Sequence, residues 1–140
     1  DFREVSTALK MITDIERFGD QASDIGDLVY TMPGDKYIKK LEHITAMGNL
    51  AEKMVRESVD SFISNNEALA NEVIALDDKM DDLFLTVKKE LIELIKKDGA
   101  NGDQAIELMM VAKYLERIGD HAVNVAEWTK YNETGVHEKF

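Results

Sequence analysis

The sequence predicts an all-α protein, an antiparallel helical bundle, and three observations lead there. The chain has 44% hydrophobic and 32% charged residues with a single proline among 140 positions, and Ala, Leu, Lys, Glu and Met, all good helix formers, dominate. Apolar residues recur at three- and four-residue steps over four long stretches, the period of a helix with one buried face. The breaks between those stretches are short, which makes consecutive helices antiparallel neighbours.

The first stretch, 2–32, carries Phe2, Val5, Leu9, Ile12, Ile15, Phe18, Ala22, Ile25 and Val29 on one stripe. Pro33-Gly34-Asp35 ends it, because proline has no N–H to donate and glycine tolerates left-handed geometry. The second helix, about 36–64, sets Ile44, Met47, Ala51, Met54 and Phe62 on its inner face. Ser64-Asn65-Asn66 then supplies a turn and an N-cap. The third, about 67–97, presents Val73, Leu76, Met80, Leu83, Val87 and Leu91. In the loop 96–103, "KKDGANGD", lysines close one helix, glycines turn the chain, and Asp103 is expected to cap the next. The fourth helix, about 104–131, is expected to bury Ile106, Leu108, Val111, Leu115, Ile118, Ala122 and Val125, and 132–140 reads as a tail.

Composition also excludes functions. The formal charge of −11 repels nucleic acid and anionic lipid, so the natural partners are cations or basic protein surfaces. Without cysteine there is no disulfide scaffold and no thiolate chemistry. No apolar run approaches the ~20 residues of a membrane span, so the cytoplasm is the expected compartment. There is no phosphate-cradling glycine loop and no nucleophile–base pairing, which speaks against an enzyme.

One pattern needs a specific cause. Positions 16–22 and 116–122 share Glu, Arg, Gly, Asp and Ala, so Glu-Arg-x-Gly-Asp is written twice, one hundred residues apart. That spacing is too long for a solenoid repeat and fits a repeated three-helix unit. Glu116 and Asp120 lie about 40° apart on the helical wheel, at the edge of the apolar face, and Glu16 and Asp20 repeat the offset. The preceding helix offers Asp77 and Asp81 at the same spacing, closer to its core stripe than Asp78 and Asp82. Such pairs cost ~0.2–0.5 kcal/mol each even on an isolated helix, and more face to face, unless a cation sits between them. All-oxygen sets of this kind suit hard cations.

The simpler alternative is that acidic rows merely solvate a helix face. Gly19 and Gly119 allow either close helix approach or room for an ion. Arg17 and Arg117 either pair with Asp20 and Asp120 at i,i+3 or orient ligand carboxylates from behind. His121 is expected to be exposed, His43 and His137 lack evident partners, and Met47, Met109 and Met110 read as core filler. Glu-x-x-His pairs of di-iron bundles are missing from the helices, which counts against a carboxylate-bridged metalloenzyme.

The strings "LERIGDHAVNVAEW" and "IERFGDQASDI", with Asp77–Asp81 on the preceding helix, resemble the PhoU family, bacterial regulators of phosphate uptake. The resemblance spans about 1–131 and implies two three-helix bundles, each with a Glu/Asp-x-x-x-Asp motif on two helices and a metal site between them. It implies residues 1–32 as the last helix of a first repeat, 36–131 as a complete second repeat and 132–140 as a tail. Asp1 is not an initiator methionine, and the expectation is a chain lacking its N-terminal part. The second site is then complete in Asp77, Asp81, Glu116 and Asp120, and the first is half present in Glu16 and Asp20. The metal is iron, zinc, magnesium or manganese, which the ligand set alone does not separate. By the same resemblance the partners are a phosphate ABC transporter at the inner membrane and a sensor histidine kinase, with a homodimer expected. Similar domains are appended to sodium–phosphate cotransporters, and a helical interaction module without metal is the remaining alternative.

Overall fold

The computed structural model describes residues 2–31 and 41–134. They form α1 (Phe2–Thr31), α2 (Leu41–Ser64), α3 (Glu67–Lys97) and α4 (Gly102–Thr134), with one turn of 3₁₀ helix at Gly99–Asn101 before α4. The expectation of an all-α bundle holds. The proline turn at 33–35, the expected start of the second helix at 36, His137 and most of the tail lie outside the described residues.

Local chemistry fixes the connections. Asn65 takes a positive φ of 54°, and Asn66 Oδ1 accepts from the Leu69 amide at 3.1 Å, capping α3 as the sequence suggests. The second connection corrects an expectation. Asp103 is not a cap; the capping carboxylate here is Asp98, which serves the 3₁₀ turn: its Oδ1 accepts from the Ala100 amide at 3.0 Å. Asp103 already sits in the first turn of α4, where a negative charge complements the helix dipole.

Helices α2, α3 and α4 pack mutually around a core of Met47, Met54, Val73, Met80, Leu108 and Val111, each at most 1% exposed. At one end Ser61 and Thr129 hydroxyls meet at 3.2 Å across α2 and α4; the Ser58 carbonyl lies 2.7 Å from Ser61 Oγ and the Val125 carbonyl 3.2 Å from Thr129 Oγ1, so one hydroxyl donates to its own helix while the other donates across the pair or to its own carbonyl. These buried hydroxyls are therefore satisfied.

Helix α1 stands apart from this trio. Among the described elements it touches α4 alone. The Arg3 guanidinium lies over the Tyr131 ring at 5.9 Å, and Phe18 meets the His121 ring edge-on at 5.6 Å. Residue numbers falling on α1 thus pair with numbers rising on α4, so the helices run antiparallel. An apolar groove lined by Phe18, Ile25, Ala51 and Val55 stays open between α1 and α2. Three residues placed on the buried stripe by periodicity are instead exposed: Phe2 at 86%, Val5 at 56% and Leu9 at 61%. Their stripe is real, but α1 has one described neighbour, and Phe2, Val5 and Leu9 lie on the side of the helix away from Arg3, Met11, Asp14 and Phe18, which face α4 or the core. Ile106 and Met110 are likewise exposed, at 59% and 44%, because they lie on the outer face of α4.

Gly119 explains one half of the repeated motif. A Cβ built there comes within 3.4 Å of Met80 Cε and 3.6 Å of Met54 Cε. Two methionine side chains thus pack over the backbone of α4 at this point, at a distance that an added methyl group would meet in ordinary van der Waals contact. The Gly119→Ala variant is expected to be as stable as wild type or up to ~1 kcal/mol more stable, since the helix-propensity gain comes with only ordinary van der Waals contact to two flexible thioether ends. Gly119→Val is expected to destabilise by about 1–3 kcal/mol through overpacking. Chemical denaturation of both variants checks this; equal stability for valine contradicts close packing at this point.

Candidate metal centre

Helices α3 and α4 run antiparallel with a register on which one ring contact and two charge influences agree. The Lys113 ammonium lies over the Phe84 ring at 5.3 Å. One turn further along, Asp81 feels Glu116 as its strongest charged neighbour. A turn beyond that, Asp120 feels Asp77 as its strongest. Residue numbers on the two helices sum to the same value at each step, so Asp77 faces Asp120 and Asp81 faces Glu116. The four carboxylates form two rungs between the helices, and Glu127 lies close enough to act on Asp77.

Proton affinities record the crowding. Burial against the helix pair raises Asp120 most, followed by repulsion from Asp77, Glu116 and Asp81, and its carboxyl reaches about 6. Asp77 is raised by burial and then by Asp81, Asp78 and Glu116. Asp81 is raised by burial and then by Glu116, although its outer edge meets water. Asp77 Oδ1 is buried without a hydrogen-bond donor, an uncompensated acceptor of the kind that a folded chain rarely leaves.

Sequence reasoning missed a second component, a cation within the cluster. Lys113 Nζ donates to Glu116 Oε1 at 2.6 Å and lowers the proton affinity of both Asp81 and Asp120. A lysine one turn from a glutamate reads in sequence as a surface pair; only the fold shows that it leans over Phe84 into four carboxylates. Among the described residues no three acidic or imidazole groups are drawn close enough to surround an ion as they stand.

The arginines do not form the expected i,i+3 ion pairs. Arg117 is exposed and lies over the Tyr114 ring at 6.0 Å, making no ion pair with Asp120. Arg17 and Asp20 are both exposed and unpaired with each other. The side chain of Glu16 is outside the described set, so the first motif shows one exposed carboxylate on a helix whose only described neighbour is α4. His121, expected in solvent, is corrected: its side chain is 15% exposed, with Nδ1 4.0 Å from Asp14 Oδ1, and burial lowers its proton affinity. Asp14 itself is fully buried, held by Lys10 at 3.3 Å. His43, without a partner by sequence, pairs with Glu90 across α2 and α3.

The comparison with known proteins gives this geometry its context. The PhoU domain model matches residues 44–129. This chain belongs to the PhoU family. It is 37% identical over 135 residues to a phosphate-specific transport system accessory protein PhoU homolog of Clostridium acetobutylicum, covering 96% of this chain and 62% of that protein. A homolog of the same description from Xylella fastidiosa is 33% identical over 91% of this chain and 54% of its own length. The chain thus spans roughly half to two thirds of these PhoU relatives. Among solved structures, PhoU from Pseudomonas aeruginosa superposes with a TM-score of 0.85 at 28% identity, over 97% of this chain and 66% of that one. The phosphate transport system regulatory protein PhoU from Streptococcus pneumoniae gives 0.87 at 25% identity, over 100% and 66%.

The donor set fits a metal of the kind the resemblance implies. All four groups offer oxygen, the ligand of hard divalent ions, and the buried Asp77 oxygen lacks a donor. The raised affinity of Asp120 also has a consequence for stability. A carboxyl that binds protons more tightly folded than unfolded stabilises the fold fully below the unfolded value near 4, and that contribution is lost as pH rises through about 6. Asp120→Asn in metal-free protein is therefore expected to raise the melting temperature at pH 7.5 and to lose that advantage by pH 4. Water on the exposed side of Asp120 keeps the effect to a few degrees. An unchanged or lowered melting temperature at pH 7.5 contradicts the crowded ladder.

Proposed function

We propose that this chain is a metal-binding regulatory module of phosphate uptake, working in the cytoplasm as an adaptor between a phosphate transporter and phosphate-starvation signalling. The single observation that carries it is the pairing of Asp77 with Asp120 and of Asp81 with Glu116 across α3 and α4 in a PhoU-family chain. These four residues would hold a divalent ion, and Glu16 with Asp20 would supply half of a second site. A bound ion would supply positive charge that lets the carboxylates close on one another. Lys113 would release Glu116, and α3 and α4 would be fixed at one separation. The surface so fixed is what partner proteins would read. We assign the site no reaction. A homodimer accords with the uncovered apolar stripe of Phe2, Val5 and Leu9.

Purification without chelator followed by elemental analysis tests the proposal. The wild-type chain is expected to carry close to one equivalent of iron, zinc, manganese or magnesium, and Glu116→Ala with Asp120→Ala to carry none while remaining helical by circular dichroism. Metal retained in full by the double variant refutes the assignment.

One observation favours a second reading. The Lys113–Glu116 pair at 2.6 Å already brings a cation to the cluster, which suits an interaction module, free or appended to a sodium–phosphate cotransporter, that needs no metal. Lys113→Met separates the two. If Lys113 competes with a metal, its removal strengthens divalent-ion binding about fivefold, the effect of relieving roughly 1 kcal/mol of repulsion. If it is the resident counter-ion, removal lowers stability and added divalent ions do not restore it.

A further inference from the structure

The face of α3 and α4 that bears the carboxylates changes character toward the other end of the helix pair. On α3 the arc about 120° wide centred near Ile92 contains, from 85 to 96, only Leu85, Lys88, Lys89, Ile92, Ile95 and Lys96. On α4 the matching arc of about 100° contains Ile106, Met109, Met110, Lys113 and Arg117 beside Gly102. Neither arc holds an acidic residue before Asp81 on α3 or Asp120 on α4. In a chain with a net charge of −11, this local reversal of sign stands out.

The apolar members of the patch are open to solvent. Leu85 is 50% exposed, Ile92 and Ile95 41% each, Ile106 59% and Met110 44%. The Lys113–Phe84 contact at 5.3 Å sets the register that brings these residues side by side across the α3–α4 seam. A cluster of large apolar side chains rimmed by charge is the usual mark of an interaction site. Among the cations, Lys113 is engaged by Glu116 and Lys96 by Glu93 at 3.7 Å. Lys88 and Lys89 are exposed and form no ion pair among the described residues, so their charge is available to a partner.

We propose that this half of the α3–α4 face docks an amphipathic helix of a partner protein, one with an apolar stripe flanked by acidic side chains. The trough between two antiparallel helices accepts a third helix by ordinary ridge-and-groove packing. Its usable length, α3 85–96 against α4 102–113, is roughly 16 Å, enough for about three turns. Leucines or similar residues of the partner fill the trough over Ile92 and Ile106, and its carboxylates meet Lys88 and Lys89. A membrane is the poorer occupant. Asp78, Asp81 and Asp120 share the face, about 10 Å along it, and an anionic headgroup layer broad enough to reach the patch repels them. The proposal deepens the adaptor reading, on which it rests, by naming where a partner binds and what its surface carries.

The test uses a fluorescein-labelled designed peptide of about 20 residues with leucines at helical i, i+3, i+4 spacing and glutamates on both flanks. Because the chain as a whole repels an acidic peptide, binding seen by anisotropy requires a local override. Binding to the wild-type chain is expected, weakened at least tenfold by Lys88→Glu with Lys89→Glu and, separately, by Leu85→Ser with Ile92→Ser. Melting curves confirm that both variants are folded. Bound peptide is expected to slow amide exchange over 85–96 and 102–113. Absence of binding, binding unaltered in either variant, or protection elsewhere overturns the assignment. So does loss in the same variants of adsorption to vesicles of phosphatidylcholine and phosphatidylserine, or of self-association by light scattering, with no peptide bound. Metal content is read in every sample: a patch that fails while the metal persists sinks this surface alone and leaves the adaptor reading standing.

Discussion

Repulsion between like charges across the α3–α4 seam is the constraint on which the rest of the molecule turns. Asp77 and Asp81 of α3 line up with Asp120 and Glu116 of α4 in the register marked by the Lys113–Phe84 contact, and Met80 packs on α4 at Gly119 in the same register. Apolar burial of Met54, Met80 and Val73 holds the helices at a separation that the charges alone oppose. Proton uptake by Asp120 and the Lys113–Glu116 pair each relieve part of that opposition, and a divalent ion relieves more of it at once.

Charge along this face is segregated. Carboxylates occupy the stretch around 77–82 and 116–120, and lysines with apolar residues occupy 85–96 and 106–113. Lys113 stands at the boundary and belongs to both. In the proposed scheme an ion entering the carboxylate half frees Lys113 from Glu116, which alters the charge offered by the other half. Metal occupancy and partner docking are then linked through one side chain, without rearrangement of the backbone.

Much of the architecture was legible because it rests on local rules. The α3 limits follow from Asn66 at one end and two lysines at the other, and periodicity alone separates four helices. The four carboxylates were legible because a motif written twice, with a glycine inside a helix each time, is hard to explain as surface decoration. Features that depend on which helices are neighbours were not. Phe2, Val5 and Leu9 continue an apolar stripe, but a stripe does not say how many partners it has. Ile106 and Ile92 satisfy the helical period and still face outward. Lys113 and Arg117 have similar settings in sequence, yet one turns into the cluster and the other lies on Tyr114. Buried Asp14 and half-buried His121 come from the α1–α4 crossing, a contact about one hundred residues apart in the chain.

The position of a bound cation decides between a metal centre and an acidic helix face. Anomalous diffraction from crystals of the protein purified without chelator, collected on either side of the absorption edge of the bound element, locates it directly. A peak between α3 and α4 within coordination distance of oxygens from Asp77, Asp81, Glu116 and Asp120 is the predicted result. Crystals with no such peak, in which the four side chains turn away from one another into solvent, contradict it.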